Sequence, residues 1–328
     1  MHKAKQILPV LVLFVLVLVF FYKIVFFKKI FITGDLTGCD ILDLAYPFRH
    51  FLSQSLNNKT LPLWCSYNGC GFPIHAVGEG GFFYPLNLLL FSLLPPITAF
   101  NWNFVVTSLI AGVSFYSYTR YIGLSVFAAL LGSVVFTFSS FLVGHIRHIN
   151  MINTACWLPL LFLTLKLFFD TGKNLYAVLT GAILGIQILA GFPQVFYYSL
   201  LAGFVYSLYL FIITKKQSVS SPYFLHFILL ILIVFVIMSG LGAVQWLPSY
   251  EMFKLSSYIE LPKWYDYFGF KDLIMLVLPY FYGNPAEANL TRADFIPWES
   301  CVYVGIIPLL LSIIVTVVWQ ISHFSNEK

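Results

Sequence analysis

Residues 223–244 read YFLHFILLILIVFVIMSGLGAV. The run holds no Asp, Glu, Lys or Arg, and a helix through it rises about 33 Å, close to the ~30 Å hydrocarbon core of a bilayer. Comparable apolar segments recur near 7–27, 102–120, 124–143, 150–169, 174–191, 194–213 and 301–321. The expected fold is therefore an all-α, polytopic transmembrane helical bundle of about eight spans, forming a single integral membrane domain over residues 1–328. A β-barrel is excluded by pattern, because the runs are continuous rather than alternating with period two.

Composition agrees with that reading. The chain is 60% hydrophobic and only 9% charged, with mean hydropathy +0.88, and a soluble domain needs far more charge to cover its surface. The first apolar run has no small-residue cleavage site and more spans follow it, which argues against a secretory signal peptide. The net charge of +5 comes without a basic run interleaved with aromatics, so no nucleic-acid partner is implied. Of five cysteines, Cys39, Cys65 and Cys70 fall between the first two spans. A Cys65–Cys70 disulfide and unpaired thiols are both open readings. The sequence has no paired CxxC motif for zinc, no Walker motif, no GxSxG, no HExxH and no strand-borne GxGxxG.

Segment 84–97, YPLNLLLFSLLPPI, is short and bracketed by Pro85, Pro95 and Pro96. It reads as an interfacial or re-entrant helix. On that reading the loops near Arg120, Lys166/Lys173 and Lys215/Lys216 share one side, and the positive-inside rule makes that side cytoplasmic. Both termini are then expected in the cytoplasm. The first loop (33–84) and a second large segment (245–300) are expected outside. A full crossing by 84–97 would reverse only the N-terminal part.

The first loop holds four of the thirteen acidic residues. Asp35, Asp40 and Asp43 crowd its start, followed by Arg49, Trp64, His75 and Glu79. A carboxylate here could act as general base or hold a divalent cation, with Asp40 or Asp35 as the ligand. Asp40 and Asp43 would share a helical face, and Asp43 reads better as a capping residue. His145 and His148 flank Arg147 at the outer end of a span and could bind an anionic phosphate or ligate a metal, while Lys28, Lys29, Arg49 and Arg147 are candidate contacts for a lipid phosphate. Gln194 follows the helix-interrupting Pro193, where freed carbonyls want polar partners. Trp64 could stack on a sugar or sit at the interface. Glu251 belongs to the second outer segment, with Glu260, Asp266, Arg292, Asp294, Trp298 and Glu299.

An ordered set of short motifs runs through the chain. It begins with Gly38-Cys-Asp40, Tyr46-Pro-Phe-Arg49, Leu61-Pro-Leu-Trp64, Gly71-Phe-Pro73 and Phe83-Tyr-Pro-Leu-Asn87. It continues with Gly144-His145 and His148, Trp157-Leu-Pro159, Gly191-Phe-Pro-Gln194, Gly242-Ala-Val-Gln-Trp-Leu-Pro248 with Glu251, Tyr280-Phe-Tyr-Gly283 and Tyr303-Val-Gly-Ile306. In order and spacing this resembles the YfhO-type bacterial membrane proteins, relatives of the GT-C glycosyltransferase superfamily. The resemblance implies a GT-C-like core and transfer of a sugar from a polyprenyl-phosphate donor to a cell-envelope polymer or lipid acceptor. It implies an essential acidic residue in the first outer loop, which Asp40 matches by position, with Asp35 in reserve. Arg49, Trp64, His145, Arg147, His148, Gln194 and Glu251 become expected substrate contacts. Family members are longer, so the resemblance also implies a fragment or half of a split protein, with a second membrane chain as partner. Two rival readings are a lipid or polysaccharide transporter and a non-catalytic membrane subunit. Transport is disfavoured by the scarcity of charge within the spans and by the lack of a clear internal repeat.

Overall fold

The computed structural model describes residues 2–27, 29–30, 39–67, 69–217, 223–256, 269–283, 291 and 303–326. The regular secondary structure of these residues is helical, apart from one isolated antiparallel bridge between Cys65 and Phe72. The chain opens with α1 (His2–Phe20) and α2 (Tyr22–Phe26). The first loop contributes a π-turn (Ile41–Ala45) continuous with α3 (Tyr46–Asn57), then α4 (Pro85–Leu93). The bundle follows as α5 (Pro96–Tyr121), α6 (Val126–Thr137), α7 (Ser140–Gly144), α8 (Ile149–Ala155), α9 (Leu158–Thr171), α10 (Asn174–Ala190), α11 (Pro193–Gln217) and α12 (Tyr223–Leu255). The last helix is α13 (Ile306–Asn326).

Among the described residues, five helices are long and apolar enough to cross a membrane: Pro96–Tyr121, Val126–Gly144, Ile149–Thr171, Pro193–Thr214 and Phe224–Leu255. Three shorter apolar helices, Ile7–Phe20, Asn174–Ala190 and Ile306–Val318, fall on the remaining segments that hydropathy singles out. The helix in the doubtful stretch, α4, has nine residues. It rises about 14 Å, well short of a bilayer core.

Two of the long spans are broken in ways that matter for the site. Ser139 stops α6, and its hydroxyl accepts from Leu142 N at 3.5 Å to start α7. Pro159 sits in the first turn of α9, where its missing N–H costs nothing. Between these breaks, residues 145–148 leave the helix and form a turn, so the segment carrying His145, Arg147 and His148 is not part of a regular span.

The core gathers on α5. Phe100 and Phe104 are fully buried there and pack with Ile41, Leu52 and Phe82 from the first loop, Phe91 of α4 and Ile149 of α8. A second cluster joins Leu161, Leu165 and Phe168 of α9 to Ile183 and Leu184 of α10, Leu210 of α11 and Leu230 of α12. The helices α10 and α12 approach closely through Gly181-Ala-Ile-Leu-Gly185. A methyl added at Gly181 would lie 2.9 Å from Ile237 Cβ, and one at Gly185 would lie 2.8 Å from Leu241 Cβ. Small residues four apart are how helices pack where lipid removes the hydrophobic drive to associate.

Candidate functional site

The first loop is fastened to the bundle by buried polar side chains. Arg49 of α3 is 1% exposed. Its Nη1 donates to Gly80 O and its Nη2 to Asn150 Oδ1. Asn150 in turn donates from Nδ2 to Glu79 O. Asn87 of α4 donates to Gly81 O at 2.7 Å and accepts from Asn103 of α5 at 2.7 Å. Gln245 of α12 donates to His75 O and Val77 O at 2.9 and 3.2 Å, and Ser249 donates to Ala76 O at 2.8 Å. Main-chain carbonyls of residues 75–81 thus find donors on four helices, as buried backbone oxygens must.

Gly191, where α10 ends, adjusts to the same loop. Its φ is +87°, and a Cβ there would lie 2.9 Å from Gly78 O and 3.0 Å from Gly81 N. Gly191→Ala therefore combines left-handed backbone strain with a clash against main chain that cannot swing away. The expected cost is about 1–3 kcal/mol, read as a lower thermal midpoint in detergent. An unchanged midpoint would show that the loop is not held against this helix end.

Clamping the loop creates an open pocket of about 240 Å³. Its polar lining comes from Asp40, Glu79, Arg147, His148, Asn150 and Gln194, and its apolar wall includes Leu44, Ile149, Met151 and Phe192. Four separate stretches of chain meet here. Asp40 Oδ2 accepts from Arg147 Nε at 3.2 Å and Nη2 at 3.1 Å, and it lies 2.9 Å from His148 Nε2. Asp40 is 44% exposed and the Arg147 side chain only 8%. Solvent screening holds such a half-exposed pair to roughly 1 kcal/mol, so its main consequence is positional.

Glu79 is the second carboxyl in this pocket, an exposed residue whose carboxylate faces the cleft's lining. Its pKa is raised, first by partial burial and second by the negative charge of Asp40. Among the described residues its carboxylate has no hydrogen-bond or ion-pair partner. Behind the wall, burial pulls the Arg49 guanidinium down to about 10, an effect partly offset by Tyr84. Arg49 therefore stays cationic at neutral pH, and no carboxylate among the described residues pairs with it.

The other sequence candidates lie in different places. Asp43 reaches back to accept from Cys39 N at 3.0 Å, the capping role expected of it. Arg49 is walled off by its own hydrogen bonds and does not line the pocket. His145 is buried, with Nδ1 2.8 Å from Phe141 O and its ring against Phe141. Gln194 does line the pocket, and its Nε2 donates to Tyr198 Oη at 3.0 Å. Trp64 is exposed and covers Gly71, where a Cβ would fall 2.5 Å from the indole. Glu251 is exposed on α12 away from the pocket lining. Cys65 and Cys70 are both free thiols. Asp35, Lys28 and Glu260, Asp266, Arg292, Asp294, Trp298 and Glu299 lie outside the described residues.

A divalent cation is poorly matched to this donor set. Among the described residues no three His, Cys, Asp or Glu side chains are grouped to hold a metal. One oxygen of Asp40, Oδ2, already faces Arg147 and His148, and two cationic or N–H-bearing side chains beside the carboxylate disfavour a further cation there.

The sequence assigns no role to Glu79 or Asn150, the two residues that complete the pocket. The only signal for Glu79 was its place in Gly78-Glu-Gly-Gly81, a polar, glycine-rich stretch inside a membrane chain. No family model, no curated protein and no solved structure matches the chain, so the resemblance rests on the motifs alone.

Proposed function

We propose that this chain is a membrane glycosyltransferase with a GT-C-like core of about eight spans, akin to the YfhO-type proteins. It would move a sugar from a polyprenyl-phosphate donor to a cell-envelope polymer or lipid acceptor. The observation that supports this reading most is convergence. Asp40 of the first loop meets Arg147 and His148 from the turn between two spans more than a hundred residues later, beside a second carboxyl and an apolar wall. Carboxylates beside positive groups, at the edge of an apolar surface, suit a reaction between a lipid-borne phosphate ester and a hydroxyl.

Transfer of radiolabelled sugar from a polyprenyl-phosphate donor, by the purified protein in liposomes, tests the reading. Labelled acceptor should accumulate. A second reading, a non-catalytic membrane subunit, is favoured by one fact: Arg147 and His148 already spend hydrogen bonds on Asp40. Absence of transfer across a panel of donors, with stable binding to a second membrane chain, would establish that reading instead.

The proposed location is a multi-pass cell membrane protein with both termini in the cytoplasm and the first loop outside. Cys70 gives a direct test, because it is exposed while Cys65 and Cys156 are buried. In a Cys39→Ser, Cys301→Ser background a membrane-impermeant maleimide should label intact cells, and adding Cys70→Ser should remove that labelling. Labelling of Cys70 only after permeabilisation would put the loop on the inner side.

A further inference from the structure

We propose that Glu79, rather than Asp40, takes the proton from the attacking acceptor, and that Asp40 is a positioning residue for Arg147 and His148. The proposal rests on the transferase reading above and divides the work within its pocket.

Geometry separates the two carboxylates. Asp40 Oδ2 is engaged by three nitrogen atoms, two of them on a guanidinium. An oxygen committed to such donors is a weak proton acceptor, because each donor stabilises its negative charge. Glu79 lines the same pocket and no described residue donates to its carboxylate. Its backbone is nonetheless fixed: Glu79 O accepts from Asn150, and the next carbonyl, Gly80 O, accepts from buried Arg49. A rigid main chain carrying an unengaged carboxylate is the arrangement a general base needs, held in place yet open to an incoming hydroxyl.

The charged or titratable groups lining the pocket with Glu79 are Asp40, Arg147 and His148, and Arg49 lies behind its wall through Gly80. Of these, Asp40 acts on Glu79 to favour its protonated form, in the same direction as desolvation. A carboxylate with a raised pKa is a stronger base while it remains ionised.

The step balances without a further reactant. The acceptor hydroxyl oxygen bonds to the anomeric carbon of the donor sugar while its proton passes to the Glu79 carboxylate. The bond from the anomeric carbon to the phosphate oxygen breaks, and its electron pair leaves with the polyprenyl phosphate. Glu79 then releases the proton to water.

Two measurements test the assignment, and one does not depend on transfer. Dicyclohexylcarbodiimide modifies protonated, poorly hydrated carboxyl groups. In the full chain in liposomes at neutral pH, Glu79 should be modified faster than Glu251, which is exposed as Glu79 is but lies outside the pocket, as read by mass spectrometry of its peptide. Asp40→Asn should slow that modification, since removing the neighbouring charge favours ionised Glu79. Modification of Glu79 no faster than Glu251, or indifferent to Asp40→Asn, overturns the proposal even if wild-type transfer is robust. Where labelling behaves as expected but wild-type transfer is absent, the transferase reading fails and the paired-carboxyl assignment of the pocket stands. With transfer present, Glu79→Gln should lower it about 10²–10⁴-fold. The residual activity of Asp40→Asn should show its acidic limb displaced to lower pH. Full activity of Glu79→Gln removes Glu79 as the base.

Discussion

Arg49→Ala is expected to cost about 3–5 kcal/mol of stability, enough to leave a marginal protein largely unfolded. The side chain is 1% exposed and gives charge-assisted hydrogen bonds to Gly80 O and Asn150 Oδ1. Each such bond is worth about 1.5–3 kcal/mol net, and truncation also strands two buried acceptors and opens a cavity. Arg49→Lys should recover only part of the loss, because an ammonium cannot span two diverging acceptors as a planar guanidinium does. A thiol-reactive dye reports unfolding through buried Cys65 and Cys156 in a background with Cys39, Cys70 and Cys301 changed to Ser. Were Arg49 instead a substrate contact, its alanine variant would keep the wild-type midpoint and lose affinity. That result would sink the clamp role derived from its burial.

Asp40→Asn is expected to lower sugar transfer by at least about 100-fold while changing stability by no more than about 1 kcal/mol. An asparagine oxygen still accepts one hydrogen bond at the same place, so the fold has little to lose. What disappears is the charge that holds Arg147 and His148 together at 2.9–3.2 Å. Unrestrained, those two side chains would no longer present a fixed positive face to a phosphate leaving group. The measurement pairs the initial rate of transfer with the thermal midpoint of the same preparation. Wild-type activity in Asp40→Asn would remove this residue from the mechanism. A collapse of the midpoint alongside activity would make the ion pair structural.

These two residues show where sequence reading stops. Both stood out as charges in a membrane chain, yet Arg49 and Asp40 part company once folded. Arg49 looked like a phosphate contact because cations at the headgroup level often are. Its partners, Gly80 and Asn150, lie 31 and 101 positions away, and no local pattern relates them. Asp43 was different. Its cap bond to Cys39 N spans four residues, so helix-start chemistry alone could read it. His145 and His148 likewise looked equivalent, since spacing cannot tell which ring packs on Phe141 and which reaches Asp40.

Sequence by itself determined the helical membrane class, the positions of the apolar segments, the short length of 84–97 and the polar character of the first loop. Each is a sum over neighbouring residues: transfer free energy accumulates along a run, and helix caps and prolines act within a turn. Only the tertiary structure decided that Arg49 is a buried clamp, that Arg147 and His148 turn to Asp40, and that Asp40 and Glu79 share a pocket. Those facts follow from the need to satisfy every buried polar group in a low-dielectric interior. That need is met by whichever donors the packed helices bring near, and distance along the chain does not record it.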